Sequence, residues 1–281
     1  MKFTKMHGCG NDYIFVNCFH EIVKNPEKVS RLLSDRHFGV GADGLILIGD
    51  SNVADFSMHM YNSDGSVGEM CGNAIRCVGK YVYENKMTNK TVITVETLAG
   101  VRTLFLTVNQ NHVVEIMVDL GKPILSPKEI PVVSEKDQVM NETIEILDRR
   151  FQITCVSMGN PHVVAFVDNV ASFPVAKYGL PMEYNLKFPN RTNVEFVQIL
   201  DRNNIKMRVW ERGSGETLAC GTGTAASVVA GVVNGLLDDY VVVNCLGGKL
   251  KIRYDKEEQV VYMTGTAKLV YHGEVDLENL S

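Results

Sequence analysis

Two Cys-Gly pairs, Cys71-Gly72 and Cys220-Gly221, are the residues of this 281-residue chain best suited to do chemistry. Each pair stands at the start of a predicted helix, where the first backbone N–H groups have no partner inside the helix and carry the positive end of its dipole. A thiol at such a position loses its proton more readily than a free cysteine, and a carboxylate can bind to the same N–H groups. Each pair therefore predicts a reactive sulfur beside an anion site.

Two such sulfurs could act on a single carbon atom. If they face each other in a cleft, one thiolate can take the α-proton of a bound carboxylate while the opposite thiol delivers another proton. The N–H groups of both helices would then stabilise the carbanion that forms. The pattern favours a two-base proton transfer that inverts a stereocentre, with two thiols that titrate as a coupled pair.

The surroundings of the two cysteines repeat along the chain. Asn11 lies 60 residues before Cys71 (71 − 11), and Asn160 lies 60 residues before Cys220 (220 − 160). Each of these asparagines follows a glycine and opens an apolar segment that is typical of a strand. The equal spacing indicates that the chain contains a duplicated domain.

A shorter interval repeats as well. Asn62 and Glu211 each end a predicted strand nine residues before the cysteine of their half (71 − 62 and 220 − 211). A glycine-centred turn follows each predicted helix, at residues 98–100 and 246–248. We therefore predict two structurally similar halves, roughly 1–118 and 151–268, joined by a connector rich in Pro, Lys and Glu.

Within each half, short β-branched segments bounded by Gly, Asn or Asp predict strands, together with one or two helices. The segment 222–237 is apolar almost all round, which predicts a helix buried in a core. The helix after Cys71 is amphipathic, and Arg76, Lys80 and Glu84 are expected on its polar face. The predicted fold class is α+β, with two pseudo-symmetric halves, each a curved, mostly antiparallel sheet wrapped around a central helix.

Composition excludes several function classes. The net charge of −5, from 28 basic and 33 acidic residues, argues against a nucleic-acid partner. The sequence begins with no signal-peptide pattern and contains no apolar segment long enough to span a membrane. Seven cysteines at irregular spacing read as free thiols in a reducing compartment, and no metal-ligand spacing is present. We expect a cytoplasmic protein that acts on a small molecule.

Most of the cysteines have a simpler interpretation. A buried cysteine is usually a small hydrophobic core residue. We assign that role to Cys9, Cys18, Cys77, Cys155 and Cys245. Cys71 taken alone could equally be such a residue, but packing gives no reason for two cysteines with matched surroundings.

At these residues the chain resembles the diaminopimelate epimerases. The matching segments are MHGCGND at 6–12, NSDGS at 62–66, CGN at 71–73, MGNPH at 158–162, and ERG at 211–213 through CGTG at 220–223. The resemblance implies interconversion of LL- and meso-2,6-diaminopimelate in lysine and peptidoglycan precursor biosynthesis, without pyridoxal phosphate or metal. It also implies a homodimer and an active site in the cleft between residues 1–118 and 119–268, with 269–281 joining the first half.

The resemblance assigns roles residue by residue. Cys71 and Cys220 would be the two bases, His162 would support the thiol pair, and Glu211 would contact the substrate amino group. The implied backbone donors to the reacting carboxylate are Gly72, Asn73, Gly221 and Thr222. The implied substrate-binding side chains are Asn11, Asn62, Asn160, Asn193 and Arg212, with Arg212 holding the distal carboxylate.

Each assignment has a structural alternative. Asparagines beside glycine often serve turns, so Asn11 and Asn62 could be structural. Arg212 and Glu211 could be surface charges, and His162 could merely satisfy backbone groups. Some family members carry a substrate-contacting glutamine where this chain has a glycine, at position 44.

Two other functions stay open, and a third related group differs at the cysteines. Proline and hydroxyproline racemases share the paired Cys-Gly motif, but they usually have His where this chain has Asn73. Isomerases of phenazine-type pathways lack the two cysteines. A non-catalytic, thiol-sensing ligand-binding protein would use the sulfurs as a redox pair, and we expect a Cys71–Cys220 disulfide to inactivate the enzyme reversibly.

Overall fold

The computed structural model describes residues 1–280 and divides the chain into two compact units. The first unit comprises Met1–Val118 and the segment that starts at Gly265, and the second comprises Asp119–Thr264. Ser281, the last residue of the segment expected to join the first half, lies outside the described residues. Within residues 1–280, no helix has the length and apolar character that a membrane span requires.

The first unit begins with eight strands and two helices. These are β1 (Lys2–Gly8), β2 (Asn11–Asn17), α1 (Pro26–Ser34), β3 (Gly44–Gly49), β4 (Phe56–Asn62), β5 (Val67–Gly68), α2 (Gly72–Glu84), β6 (Val92–Thr97), β7 (Gly100–Asn109) and β8 (His112–Asp119).

The second unit has nine strands and two helices in its described residues. These are β9 (Glu142–Ile146), β10 (Arg149–Ser157), β11 (Pro161–Phe166), α3 (Val175–Glu183), β12 (Asn193–Asp201), β13 (Asn204–Glu211), β14 (Gly215–Thr217), α4 (Gly221–Val233), β15 (Tyr240–Cys245), β16 (Gly248–Asp255) and β17 (Val260–Gly265). The chain then adds β18 (Lys268–Glu274) and a 3₁₀ helix (Leu277–Leu280) to the first unit.

The two units have the same strand order. In the first, the strands pair as β18-β1-β2-β3-β4-β6-β7-β8, with β5 in a short hairpin on β4. In the second, they pair as β9-β10-β11-β12-β13-β15-β16-β17, with β14 in a hairpin on β13. The parallel pairs, β2–β3 and β4–β6, recur as β11–β12 and β13–β15. The predicted α+β class with two similar halves is confirmed.

One helix in each unit fills the core and carries a site cysteine at its start. In the first unit, α2 packs on β1, β2 and β7, and in the second, α4 packs on β10, β11, β12 and β16. The α4 side chains Val228 and Val229 are fully buried, and burial of such a side chain contributes roughly 1.5–3 kcal/mol.

The end of α4 differs from the prediction. The helix stops at Val233, four residues before the expected end at 237 (237 − 233). Asn234 caps it, with its N–H donating to Ala230 O at 3.2 Å. Gly235 follows with a φ of 72°, a left-handed conformation that ends helices and suits glycine.

Candidate active site

Cys71 is the residue that precedes α2. Its backbone is extended, with φ −128° and ψ 120°, and its carbonyl accepts the first helical hydrogen bond from Ile75 N–H at 2.9 Å. Gly72 and Asn73 therefore occupy the first turn, where N–H groups have no acceptor within the helix. Both residues are buried and Cys71 is partly exposed, so the sulfur lies directly before the first turn of the helix.

Asn11 fixes the Cys71 thiol. The thiol donates to Asn11 Oδ1 at 3.2 Å, and Asn73 Nδ2 donates to the same oxygen at 3.4 Å. The Asn11 amide cannot turn around without loss, since its Nδ2 donates to Asp43 Oδ2 at 2.7 Å. The structure thus brings three of the predicted site residues together in the first unit.

Asn62 and Gly44, which the sequence analysis also considered, have other partners than Cys71. Asn62 ends β4 and its side chain donates to Ser66 Oγ at 3.0 Å, within the turn that follows. Gly44 is buried and pairs in parallel register with Tyr13. Tyr13 is not among the residues predicted from sequence, yet it stands two positions after Asn11 on β2 and so shares its face. Burial raises the pKa of Tyr13 well above its usual value, and the neighbouring Cys71 sulfur adds to this shift.

Arg76 corrects another expectation. It was expected on the polar face of α2, but it is fully buried. Its guanidinium donates to Gly72 O at 2.9 Å and to Asn73 Oδ1 at 2.7 Å. These bonds leave the Asn73 Nδ2 group directed at Asn11. Arg76 therefore holds the first turn of α2 from behind.

Cys220 is the corresponding residue before α4. Its φ of −115° and ψ of 117° nearly match those of Cys71, and it is 6% exposed. The sulfur accepts from Gly223 N–H at 3.4 Å and lies 3.4 Å from Thr222 Oγ1. Gly221 and Thr222 occupy the first turn of α4, as predicted for backbone donors.

The expectation that a helix start favours ionisation does not hold for Cys220, because other groups outweigh it. Burial raises the pKa of its thiol well above the usual value, and the carboxylates of Glu211 and Glu195 raise it further. The hydrogen bonds from Gly223 and Thr222 act in the opposite direction but do not compensate. Cys220 therefore carries its proton at rest.

Glu211 ends β13 beside this thiol. Its carboxylate accepts a hydrogen bond from the Thr217 hydroxyl across the β13–β14 hairpin. Burial raises the pKa of Glu211, while the hydrogen bond from Thr217 and the nearby His162 lower it and Glu195 raises it. A carboxylate with a raised pKa is a better proton acceptor than an ordinary one, so Glu211 is suited to exchange a proton with Cys220.

His162 lies fully buried on β11, two residues after Asn160. Its Nδ1 is 2.7 Å from Glu195 Oε1, and its Nε2 is 3.0 Å from Asn160 Oδ1. Asn193 pairs with His162 in parallel register on β12, and its Nδ2 donates to Pro161 O at 2.8 Å. Glu195 is not among the residues predicted from sequence, because nothing in the apolar β12 segment shows what it contacts.

Arg212 has an exposed side chain next to this group. Its backbone N–H donates to Asn193 Oδ1 at 2.9 Å, and this hydrogen bond fixes the position of the Arg212 backbone. One guanidinium nitrogen, Nη1, donates to Asn190 O at 3.1 Å. A guanidinium has five N–H donors, so this arrangement leaves donors for a carboxylate.

Known proteins resemble this sequence over nearly its whole length. The family model for diaminopimelate epimerase matches residues 3–126 and 154–270. The chain belongs to the diaminopimelate epimerase family. A family member from Acetivibrio thermocellus, named diaminopimelate epimerase, is 57% identical over 280 residues and covers 100% of both chains. One of the same name from Methanococcus maripaludis is 54% identical over 277 residues, covering 99% of this chain and 100% of its own. The family resemblance and the isomerase class predicted from sequence are confirmed.

Solved structures add the fold alone. A phenazine biosynthesis protein of the PhzF family from Bacillus anthracis has a TM-score of 0.73 at 18% identity and covers 99% of each chain. A probable proline racemase from Agrobacterium radiobacter also has a TM-score of 0.73, at 15% identity, covering 98% of this chain and 93% of its own. At these identities the shared architecture does not choose among their activities, whereas the epimerase family is shown by sequence.

The raised pKa of Cys220 predicts how this epimerase family member reacts with an alkylating agent. In a Glu211→Gln variant the neighbouring negative charge is removed, so the pH at which Cys220 is half-ionised should fall. Peptide-resolved mass spectrometry of iodoacetamide labelling against pH measures this midpoint. Cys18, a thiol of the first unit, serves as the internal control and should be unchanged. An unaltered Cys220 midpoint in the variant would contradict the assigned role of the Glu211 charge.

Proposed function

We propose that this protein is a cofactor-independent epimerase that interconverts LL- and meso-2,6-diaminopimelate by a two-base proton transfer between Cys71 and Cys220. The observation that supports this best is the pair of cysteines that precede α2 and α4, at matching positions of two units with the same strand order. Membership of the diaminopimelate epimerase family supports diaminopimelate as the substrate. The reaction belongs to the formation of lysine and peptidoglycan precursors.

The proposed reaction moves one proton and needs no other reagent. One sulfur, as thiolate, removes the hydrogen from the α-carbon, and the electron pair of that bond passes into the adjacent carboxylate as an enediolate-like carbanion. The opposite thiol gives its proton to the other face of the same carbon. The configuration inverts, and the two sulfurs exchange their protonation states, so the reverse reaction uses the same groups.

Backbone donors are proposed to stabilise the carbanion. The N–H groups of Gly72 and Asn73 in α2, and of Gly221 and Thr222 in α4, lie in first helical turns, where donors and helix dipoles favour negative charge. They act most strongly when charge develops on the reacting carboxylate. These backbone donors are proposed to stabilise the negative charge of the carbanion, the task that a cofactor performs in other racemases.

Glu211 is proposed to accept the proton of Cys220 and to return it. Because this thiol is protonated at rest, it is ready to act as the acid in one direction of the reaction. In the other direction it must first lose its proton, and the adjacent Glu211 carboxylate can accept it. His162 lies near Glu211 and offsets part of its negative charge.

The remaining predicted residues are proposed to hold the substrate. Arg212 presents an exposed guanidinium that can bind the distal carboxylate through two parallel hydrogen bonds. The amide side chains proposed to line the substrate are Asn11, Asn62, Asn160 and Asn193. Asn11 also positions the Cys71 thiol, so its role combines binding and orientation.

The experiment that tests the proposal is proton NMR of LL-diaminopimelate with the enzyme in D₂O. The meso isomer should appear with deuterium at one α-carbon, without added pyridoxal phosphate or metal. L-Proline and trans-4-hydroxy-L-proline, incubated in parallel, should keep their α-hydrogens. Exchange on either of these compounds and none on diaminopimelate would assign the protein to the racemases instead.

We further propose that the protein is a cytoplasmic homodimer. The strand β18 pairs with β1 and carries three exposed apolar side chains, Leu269, Val270 and Tyr271, at 41%, 52% and 42% exposure. Exposed apolar strands favour association with a second copy. Light scattering of the purified protein should give twice the 31.2 kDa chain mass, and a Val270→Lys variant should shift that mass toward the monomer. The seven cysteines form no disulfide within residues 1–280, which fits a reducing compartment.

A further inference from the structure

A buried carboxylate and a buried imidazole form a hydrogen-bonded pair near Cys220. Glu195 and His162 are both 0% exposed, and Glu195 Oε1 lies 2.7 Å from His162 Nδ1. Glu195 Oε2 is buried and has no hydrogen-bond partner within residues 1–280. A buried charged pair with an unsatisfied oxygen is a poor device for stability, because desolvation offsets most of the attraction. Stability therefore does not explain why the Glu195–His162 pair lies beside Cys220.

The contacts of His162 place an oxygen at each ring nitrogen. Nδ1 is 2.7 Å from Glu195 Oε1, and a carboxylate oxygen accepts hydrogen bonds. The other nitrogen, Nε2, is 3.0 Å from Asn160 Oδ1, and an amide oxygen also accepts. This geometry suits a ring that donates from both nitrogens, with the Glu195 carboxylate as its partner.

The charge on the ring decides which end of the Asn160 amide is held against it. With hydrogen on Nε2, the ring holds Oδ1 of Asn160, and the Nδ2 group with its two donors is turned away from the ring. With a neutral ring, Nε2 would accept, and the amide would have to turn its Nδ2 toward the ring and its oxygen outward. Asn160 is partly exposed, so the end that is turned away can meet a ligand.

We propose that Glu195 is a positioning residue that acts through His162 to keep Asn160 presenting N–H donors, rather than its carbonyl oxygen, to a carboxylate of the substrate. The inference rests on the proposed function, since it takes Asn160 as a substrate-binding residue. Glu195 itself touches neither the substrate nor the reacting atoms. Its effect on substrate binding is on the orientation of one amide, separate from the effect of its charge on Cys220.

The fold holds Glu195 firmly in this place. It lies in the middle of β12, paired with Val164 of β11 on one side and Val209 of β13 on the other. A Cβ at Gly223 would lie 2.6 Å from Glu195 Oε1, so the first turn of α4 leaves room for this carboxylate only because the residue there is glycine. The same glycine donates its N–H to the Cys220 sulfur.

A Glu195→Gln variant tests the proposal by separating KM from kcat. The neutral glutamine still accepts from Nδ1 but no longer balances a positive ring, so the ring should lose the hydrogen on Nε2 and the Asn160 amide should turn. A substrate carboxylate then faces the Asn160 amide oxygen instead of its N–H donors. KM should therefore rise about tenfold or more, while kcat falls by less than about threefold. Glu142→Gln, which removes a carboxylate paired with Lys187 elsewhere in the second unit, is the matched control and should leave both constants unchanged.

Two further measurements show whether the effect passes through the named residues. In an Asn160→Ala background, Glu195→Gln should change KM by less than about twofold, because the amide that it orients is absent. Nitrogen NMR of ¹⁵N-histidine-labelled protein should show both His162 nitrogens protonated in the wild type and one in Glu195→Gln. An equal KM increase in the Asn160→Ala background would overturn the proposal.

The wild-type spectrum alone can also decide. A neutral His162 ring in the ligand-free wild type would overturn the proposal even if Glu195→Gln failed to fold. This measurement needs no substrate, so it is independent of whether the protein epimerises diaminopimelate. Failure of the deuterium experiment with a doubly protonated His162 would reject the proposed function and leave the ring arrangement standing.

Discussion

Replacing Cys220 or Cys71 with alanine is expected to lower kcat/KM for diaminopimelate epimerisation by at least about a thousandfold. Each sulfur is proposed to act as acid in one direction and base in the other, and loss of one such group typically costs about 10²–10⁴ in rate. Because both directions need both sulfurs, neither single variant should retain one-way turnover. The rate of appearance of α-deuterated meso isomer in D₂O measures the loss.

Cys18→Ala and Cys245→Ala are the matched controls, one in each unit. Both residues are partly exposed cysteines outside disulfides, and neither precedes a helix of the described residues. These variants should keep the wild-type rate to within about twofold, since surface substitutions have small effects. Wild-type turnover by Cys71→Ala or Cys220→Ala would remove the two-base mechanism.

Replacing Arg76 with methionine is expected to have the largest effect on stability, lowering the free energy of unfolding by about 2–4 kcal/mol. The guanidinium is fully buried and donates to Gly72 O, to Asn73 Oδ1 and to Thr266 O, the last at 3.4 Å. Methionine fills part of the volume but leaves these buried acceptors short of a donor, and each such loss costs about 1–3 kcal/mol. Urea unfolding followed by circular dichroism measures the change.

Lys80→Met, on the same helix, is the control for Arg76. Lys80 is partly exposed, so water can reach its partners, Glu84 one turn along and the Val113 carbonyl. An ion pair of this kind contributes about 0–1 kcal/mol, so Lys80→Met should cost about 1 kcal/mol or less. Equal destabilisation by the two variants would show that Arg76 has no special role in the first turn of α2.

Arg76 also shows where prediction from sequence reaches its limit. Its position on an amphipathic helix favours an exposed charge, which is the commoner outcome for arginine. The acceptors that make burial possible include a carbonyl at Thr266, 190 residues away in sequence. No local pattern contains that information, so the prediction that Arg76 lies on the polar face of α2 was wrong.

The cysteine positions were predictable for the opposite reason. A helix start depends on the residues immediately around it, and the duplication gave two independent examples of the same local signal. The family resemblance assigned Asn11 and Cys71 to one substrate site, and the structure places the Cys71 thiol 3.2 Å from Asn11 Oδ1. Repetition in the chain thus gave the helix-start prediction support that a single copy would lack.

The ionisation of Cys220 could not be predicted in the same way. Its local setting, a helix N-terminus, favours the thiolate. The groups that raise the pKa of Cys220 come from other elements, with Glu211 at the end of β13 and Glu195 inside β12. Glu195 in turn is visible as a site residue only through its bond to His162, 33 positions away. Local sequence predicts the amides around the sulfur but not the charges brought to it by the sheet.

The pairing of β18 with β1 makes the first unit depend on two segments that are far apart in the sequence. β18 pairs with β1 from Lys2 opposite Glu274 to His7 opposite Lys268, and the N-terminal ammonium of Met1 donates to Val275 O at 2.7 Å. During translation, β1 is therefore made long before the strand that borders it. The second unit is contiguous in sequence and is made before β18, so it can fold while the first unit is still incomplete. A ribosome stalled between the codons for Thr264 and Lys268 would hold a chain whose β1 still lacks its neighbour.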